Sequence, residues 1–344
     1  MAARVAVQKA PASKTTKSPI IKKVVVRKPR KPRIIGTPDA ELVASADSLK
    51  AYIPSPDVCK QYIGRKPFGG ERWDFAIALE AIKFHDNMLL SGDTGSGKTL
   101  FGEAFASKER LMYYSVPCDV SVDPSALLGK MVVTSVQGVY KWQDGPVTEL
   151  VRHGGVLNMS EINMMTPRIQ AALYSLLDHR RYVVLLAHDG EIVRAHPNLL
   201  IIADMNPNYR GTMELNAAFL NRWAIKLPWG YSESVEEKLL QFPTLRSVAS
   251  KLRALSGVEI NTPVSTNLLM EFERFTLNDN LGLDFAVSNF VAAFRVEEQP
   301  PVEKVMEFHL AKFRSDVSYL TGKAIKVPDE DLEDIEFDFV NEES

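Results

Sequence analysis

A chain of 344 residues, 45% of them hydrophobic, is long enough to bury one substantial core and a smaller second one. No apolar run reaches the length of a membrane span, and the two cysteines, Cys59 and Cys118, lack the spacing of a disulfide framework or a thiolate metal site. The net charge of −2 conceals an asymmetry: residues 1–38 hold eleven Lys/Arg and no acid, whereas residues 329–344 hold nine acids and no base.

Those ends are expected to be disordered tails, a basic one over 1–36 and an acidic one over 326–344, because high charge and proline oppose a packed core. The basic tail fits salt-dependent nucleic-acid contact through counterion release. It fits equally a solubilising arm, or one that docks on the acidic core of its own oligomer. A mitochondrial presequence fits less well, since the segment shows no clear amphipathic face. A reduced, cytoplasmic setting is the expectation from the cysteines. The formal sequon Asn158-Met159-Ser160 falls in an apolar strand-like run and is not expected to be used.

Along the chain, Ile53 to Arg65 reads as a turn-rich approach. A helix follows at about 72–84, with Phe75, Leu79 and Ile82 at helical spacing. Asn87 to Leu90 is a short buried strand, and a helix opens near Leu100. Leu111 to Val116 reads as a strand, Asp123-Pro124-Ser125 as a helix start, and Met131 to Tyr140 as a short β excursion. Pro146 to Arg152 is predicted helical, and Gly155 to Met159 a buried strand. A helix is expected over Thr166 to Asp178, with Pro167 at its favoured first position. Asp189-Gly190 joins two hairpin strands, Tyr182 to Ala187 and Glu191 to Arg194. Leu199 to Ala203 and Ile225 to Pro228 complete the core strands. Beyond Ser232 only helices are expected, at about 234–241, 244–255, 266–277, 284–296 and 301–319. Short strands alternating with helices, then helices alone, predict a mostly parallel sheet covered on both faces and followed by a helical module.

Between the Asn87–Leu90 strand and the next helix stands Gly92-Asp93-Thr94-Gly95-Ser96-Gly97-Lys98-Thr99. This is a complete phosphate-binding loop in its proper setting. The glycines allow a tight turn that points successive N–H groups at phosphate oxygens. Lys98 can reach the β- and γ-phosphates, the Thr99 hydroxyl can ligate Mg²⁺, and the helix adds its positive N-terminal end. The residues therefore predict binding of a nucleoside triphosphate with Mg²⁺.

Four further segments follow in order. Gly154-Gly155-Val156-Leu157-Asn158-Met159-Ser160-Glu161-Ile162-Asn163 resembles the second nucleotide motif of AAA+ ATPases, and Ala203-Asp204-Met205-Asn206-Pro207 resembles their sensor segment. Tyr209 to Leu215 with Ala218 to Trp223 resembles the interface segment, and Val264 to Leu269 the start of the lid. Together they resemble the MoxR/CbbQ/NorQ/CobS group of AAA+ proteins, related to the dynein-type modules, over roughly residues 52–300. The resemblance implies an α/β fold: a P-loop AAA+ three-layer αβα core with a mostly parallel five-stranded sheet at 37–230, followed by a C-terminal helical lid at 231–325. It implies an ATPase with ATP and Mg²⁺ as cofactors, in which Glu161 activates the attacking water and Asn206 senses the γ-phosphate. Arg222 is implied as an arginine finger acting across a subunit interface, with Arg210 a weaker candidate. A homo-oligomeric ring, most simply a hexamer, follows from a finger in trans. The work implied is chaperone-like remodelling of a client protein, in the family often beside a von Willebrand factor A domain partner.

Two positions depart from the pattern. Ser160 replaces the acid that helps hold Mg²⁺ through water, which leaves the ion to Thr99 and the phosphates. Asn267 replaces an arginine of the lid, which weakens coupling between nucleotide state and lid closure. Two rivals therefore stand beside the remodelling motor: a nucleic-acid motor or loader using the basic tail, and a nucleotide-gated switch that hardly turns over. His153, His179, His188 and His196 show no metal-ligand spacing, and Tyr140 and Trp142 fit either packing or substrate contact.

Overall fold

The computed structural model describes residues 53–118, 123–133, 139–207 and 215–322. Both expected tails and Arg210 lie outside the described residues, as does most of the Tyr209–Leu215 segment.

Five strands form one parallel sheet in the order β2-β5-β8-β1-β9: Tyr113–Pro117, Gly155–Ser160, Leu199–Met205, Met88–Ser91 and Ile225–Pro228. The three inner strands are apolar runs rather than alternating ones because helices cover both faces. The first five residues of β5 and the first six of β8 are buried. Asn158 is fully buried, which agrees with leaving its sequon unused. The covering helices before the last strand are α1 (Pro56–Gln61), α2 (Asp74–Phe84), α3 (Lys98–Glu109), α4 (Pro124–Leu128), α5 (Pro146–His153), α6 (Pro167–Leu177) and α7 (Ala217–Leu220). One core joins Leu157, Met159, Ile169, Leu173, Ile201 and Trp223. Against α3, Phe75, Phe101, Phe105 and Trp229 pack ring to ring with centroids 4.9–6.5 Å apart.

Two hairpins stand apart from the main sheet. β3 (Gly129–Val133) pairs antiparallel with β4 (Tyr140–Asp144), and β6 (Tyr182–Leu185) with β7 (Glu191–Arg194). The β excursion expected after Met131 is thus a two-stranded hairpin that starts at Gly129. There φ is +132° and an added Cβ would lie 2.5 Å from the Gln143 carbonyl, so glycine is required. The predicted strand at Tyr182 stops at Leu185, two residues early, because the chain turns before Asp189-Gly190. Helix α1, read as turn in the sequence, forms on a Ser55 cap with Pro56 in its first turn.

After β9 the strands cease. Helices α8 (Glu233–Leu239), α9 (Pro243–Ala254), α10 (Thr266–Thr276), α11 (Gly282–Ala292) and α12 (Gln299–Thr321) enclose a second core of Leu245, Leu252, Phe272, Phe290, Met306 and Phe313. Among the described residues no helix is long and apolar enough to cross a membrane.

One buried ion pair sets the start of this helical module. The Glu236 carboxylate, 4% exposed, accepts both Arg253 Nη groups at 2.7 and 2.8 Å and the Thr266 hydroxyl at 2.7 Å. Arg253 also donates to the Val264 carbonyl at 2.8 and 3.0 Å. Removing one partner strands a desolvated charge. Glu236→Ala is therefore expected to cost about 3–5 kcal/mol, read by denaturant unfolding of the variant against the parent. A loss under about 1 kcal/mol, the size of an exposed pair, would show that water compensates Arg253.

Candidate functional site

The loop over residues 92–97 leaves β1 at the carboxyl end of the sheet and enters α3 at Lys98, as a phosphate-binding loop must. Gly95 and Gly97 take φ of +70° and +84°, the left-handed region where a Cβ is strained. Gly92 is fixed for another reason: an added Cβ would lie 2.0 Å from the Trp229 carbonyl oxygen. The Ser96 hydroxyl donates to the Asp93 carbonyl at 2.7 Å and closes the turn. Lys98 Nζ donates to the Gly92 and Asp93 carbonyls at 2.8 and 2.7 Å, folding its ammonium back into the loop. Burial pushes the Lys98 ammonium below the usual lysine range, against the pull of Asp204, Asp93 and Glu161. Thr99, the second residue of α3, is exposed.

The ends of β5 and β8 bring the other candidates to this loop. Asn206 Nδ2 donates to the Thr94 hydroxyl at 2.7 Å, so the expected sensor touches the phosphate loop directly. Asn163 Nδ2 holds the Asn206 carbonyl at 3.0 Å and ties the two segments together. Glu161 is exposed just past β5 in a left-handed conformation, φ 57° and ψ 49°, unusual for a non-glycine residue. Its N–H donates to Asp204 Oδ1 at 3.2 Å. Ser160 lies 3.2 Å from the Ser115 hydroxyl and accepts from Asn158 Nδ2 at 2.9 Å.

Arg222 is placed elsewhere. Its guanidinium sits over the Tyr174 ring at 4.1 Å and donates to the Ala218 carbonyl, while Asn87 Nδ2 holds the Arg222 carbonyl at 3.0 Å. The described contacts of Arg222 include no residue of the phosphate loop in its own chain.

The helical module meets the loop at two points. The Ser265 Cβ lies 2.7 Å from where a Gly95 Cβ would be, and Asn267 Nδ2 lies 3.7 Å from it. The Tyr231 hydroxyl donates to the Thr94 carbonyl at 2.8 Å, and Arg253 stacks on the Tyr231 ring at 4.0 Å. A route from loop to module thus exists at Tyr231 and Arg253, although Asn267 carries no charge. A cavity of about 770 Å³ opens between them, lined by Thr94, Asn206, Arg253 and Arg295.

A second cavity, of about 490 Å³, lies beside the loop and is lined by Gly64, Arg65, Trp73, Trp229 and Tyr231. Arg65 donates to the Ser96 carbonyl and, at 2.7 Å, to the Gly230 carbonyl, and its guanidinium lies 5.1 Å from the Trp229 ring. Asp74, 1% exposed, anchors this wall by accepting the Arg65 N–H at 2.7 Å and the Tyr62 hydroxyl. The Trp229 ring is 1% exposed and packed against Phe101 and Arg65, so the planar surfaces this cleft offers a nucleobase beside the phosphate cradle are the Arg65 guanidinium and the Trp73 and Tyr231 rings. Sequence reading passed over Arg65 and Trp229; their separation of 164 positions hid the cleft.

The oxygen donors near the loop, the hydroxyls of Thr99 and Ser160, fit Mg²⁺ carried in with a triphosphate, since this ion takes oxygen ligands and keeps several waters. Among the described residues no group of three or more His, Cys, Asp or Glu could hold a metal ion by itself.

Residues 87–223 match the AAA domain (dynein-related subfamily). The uncharacterized protein YojN of Bacillus subtilis is 35% identical over 52% of this chain and 60% of its own length. An uncharacterized protein of Staphylococcus epidermidis is 35% identical over 44% of this chain and 58% of its own. The match thus spans less than two thirds of the length of these curated relatives. Among solved structures, a Cytophaga hutchinsonii protein provisionally assigned as an ATPase is 18% identical. It covers 85% of each chain, with a TM-score of 0.42. With a phosphate loop at the carboxyl end of a five-stranded parallel sheet, residues 87–223 are similar to AAA domains of the dynein-related subfamily.

Proposed function

We propose that this protein binds ATP with Mg²⁺ and hydrolyses it in a homo-oligomeric ring, turning the cycle into chaperone-like remodelling of a client protein. The observation that carries the reading is the contact of Asn206 with Thr94, which brings the sensor strand onto the phosphate loop beside Glu161.

In that reading the adenine lies in the cleft lined by Arg65, Trp73 and Tyr231, and the triphosphate displaces the Lys98 ammonium from the Gly92 and Asp93 carbonyls. Lys98 then faces the β- and γ-phosphate oxygens. Glu161 accepts the proton of the attacking water, and Asn206 holds that water or a γ-phosphate oxygen. When bound, Mg²⁺ neutralises charge on the β- and γ-oxygens, held by the Thr99 hydroxyl and through water by Ser160. Arg222, turned away from its own loop, serves the site of a neighbouring subunit. The resemblance to the MoxR/CbbQ/CobS group supports the remodelling role and a hexamer. A protein bearing a von Willebrand factor A domain, working beside the motor, is the partner that role favours, and the client itself is left open.

Thermal unfolding with and without a nonhydrolysable ATP analogue and Mg²⁺ tests the binding step. At a hundredfold excess over Kd the parent gains about 2.7 kcal/mol, and Lys98→Ala loses most of that gain. An equal gain in the variant would place the ligand outside the loop.

A further inference from the structure

Ser160 brings no charge to the end of β5, yet the site is not without a carboxylate there. Asp204 stands on the next strand, one residue beyond the Met159–Ala203 pair and so level with Ser160. On its other side it pairs with Leu90 of β1, two residues before the phosphate loop. Its side chain is 3% exposed, one of five buried acids among the described residues. Burying an acid is costly unless something balances its charge. Its hydrogen bonds are few and modest: the Glu161 N–H at 3.2 Å and Asn158 Nδ2 at 3.4 Å. Among the described residues it forms no direct ion pair, and the nearby ammonium of Lys98 is turned onto the Gly92 and Asp93 carbonyls. The same Asn158 amide reaches Ser160 at 2.9 Å, so Asn158 bridges the position that lacks the acid and the position that has it.

Resting on the reading above, we propose that Asp204 supplies, from β8, the negative charge that Ser160 does not supply from β5, and that it acts on a nucleotide-bound Mg²⁺ through that ion's water shell. Asp204 is a positioning residue: it reaches the cation through water and sets the backbone of Glu161. The charge is exchangeable between the two strand ends because they are level in the sheet.

The test is the affinity of the full chain for a nonhydrolysable ATP analogue, measured by calorimetry in Mg²⁺ and in EDTA. Asp204→Asn keeps an oxygen for the Glu161 N–H and removes only the charge. The parent is expected to bind more tightly with Mg²⁺, and the variant to lose about 10- to 100-fold of that tightening, the usual effect of an outer partner on a metal. The double change Ser160→Asp with Asp204→Asn regains it. Mg²⁺-dependent tightening that survives in Asp204→Asn, or a folded double variant that does not regain it, overturns the proposal and leaves ATP binding standing. A parent that ignores the analogue in both buffers overturns ATP binding as well. Should Asp204→Asn fail to fold, Ser160→Asp alone decides: no gain in Mg²⁺ dependence means Asp204 already supplies the charge, and a gain of tenfold or more means the charge was missing.

Discussion

Glu161→Gln is expected to retain ATP and lose the chemistry, with turnover falling about 10²–10⁴-fold. The side chain is exposed immediately beyond β5, and its backbone is held in a left-handed turn by Asp204. Glutamine has nearly the same shape, so the turn and the loop should survive. It cannot accept the proton that a water must shed as it attacks phosphorus. Steady-state phosphate release, paired with calorimetric ATP affinity, checks both halves. A variant that hydrolyses at the parent rate would remove Glu161 from the reaction, and one that no longer binds ATP would make it a structural residue.

Arg222→Ala is expected to lower turnover about 10³–10⁵-fold, the range in which an arginine finger acts, with ATP binding unchanged. Its stacking on Tyr174 is worth only about 0.5–1 kcal/mol, so the fold should hold. The distinguishing result comes from mixing. Neither Glu161→Gln nor Arg222→Ala hydrolyses alone, but an Arg222→Ala subunit keeps Glu161 and a Glu161→Gln subunit keeps Arg222. In an equal mixture roughly a quarter of head-to-tail interfaces are complete, and phosphate release reappears. No recovery in mixtures shown to co-assemble would place Arg222 within its own subunit's fold.

Much of this site could be read from the sequence because its parts are contiguous. Residues 92–99 contain every group of the phosphate loop, and the strand before and helix after fix its place. The parallel sheet was legible from apolar runs such as Leu199 to Ala203. Pairing across strands was not. Asp204 and Ser160 are 44 positions apart, and only the β5–β8 register makes them neighbours. The cleft of Arg65 and Trp229 stayed hidden for the same reason, since long-range packing creates it. Helix α1 was missed although Ser55 and Pro56 carried its start signal, because six residues show too little periodicity to outweigh the surrounding prolines. Asn267 brings no charge to the lid, and the contact of Tyr231 with Thr94, invisible in the sequence, links the loop to the helical module by another route.

The most direct test of a shared-site ATPase is turnover per subunit across a range of protein concentrations, in Mg²⁺ and saturating ATP. A site completed by a neighbour's Arg222 predicts a rate that rises with concentration and levels off once subunits are assembled. A rate that is already constant at dilutions where the protein is monomeric would contradict it.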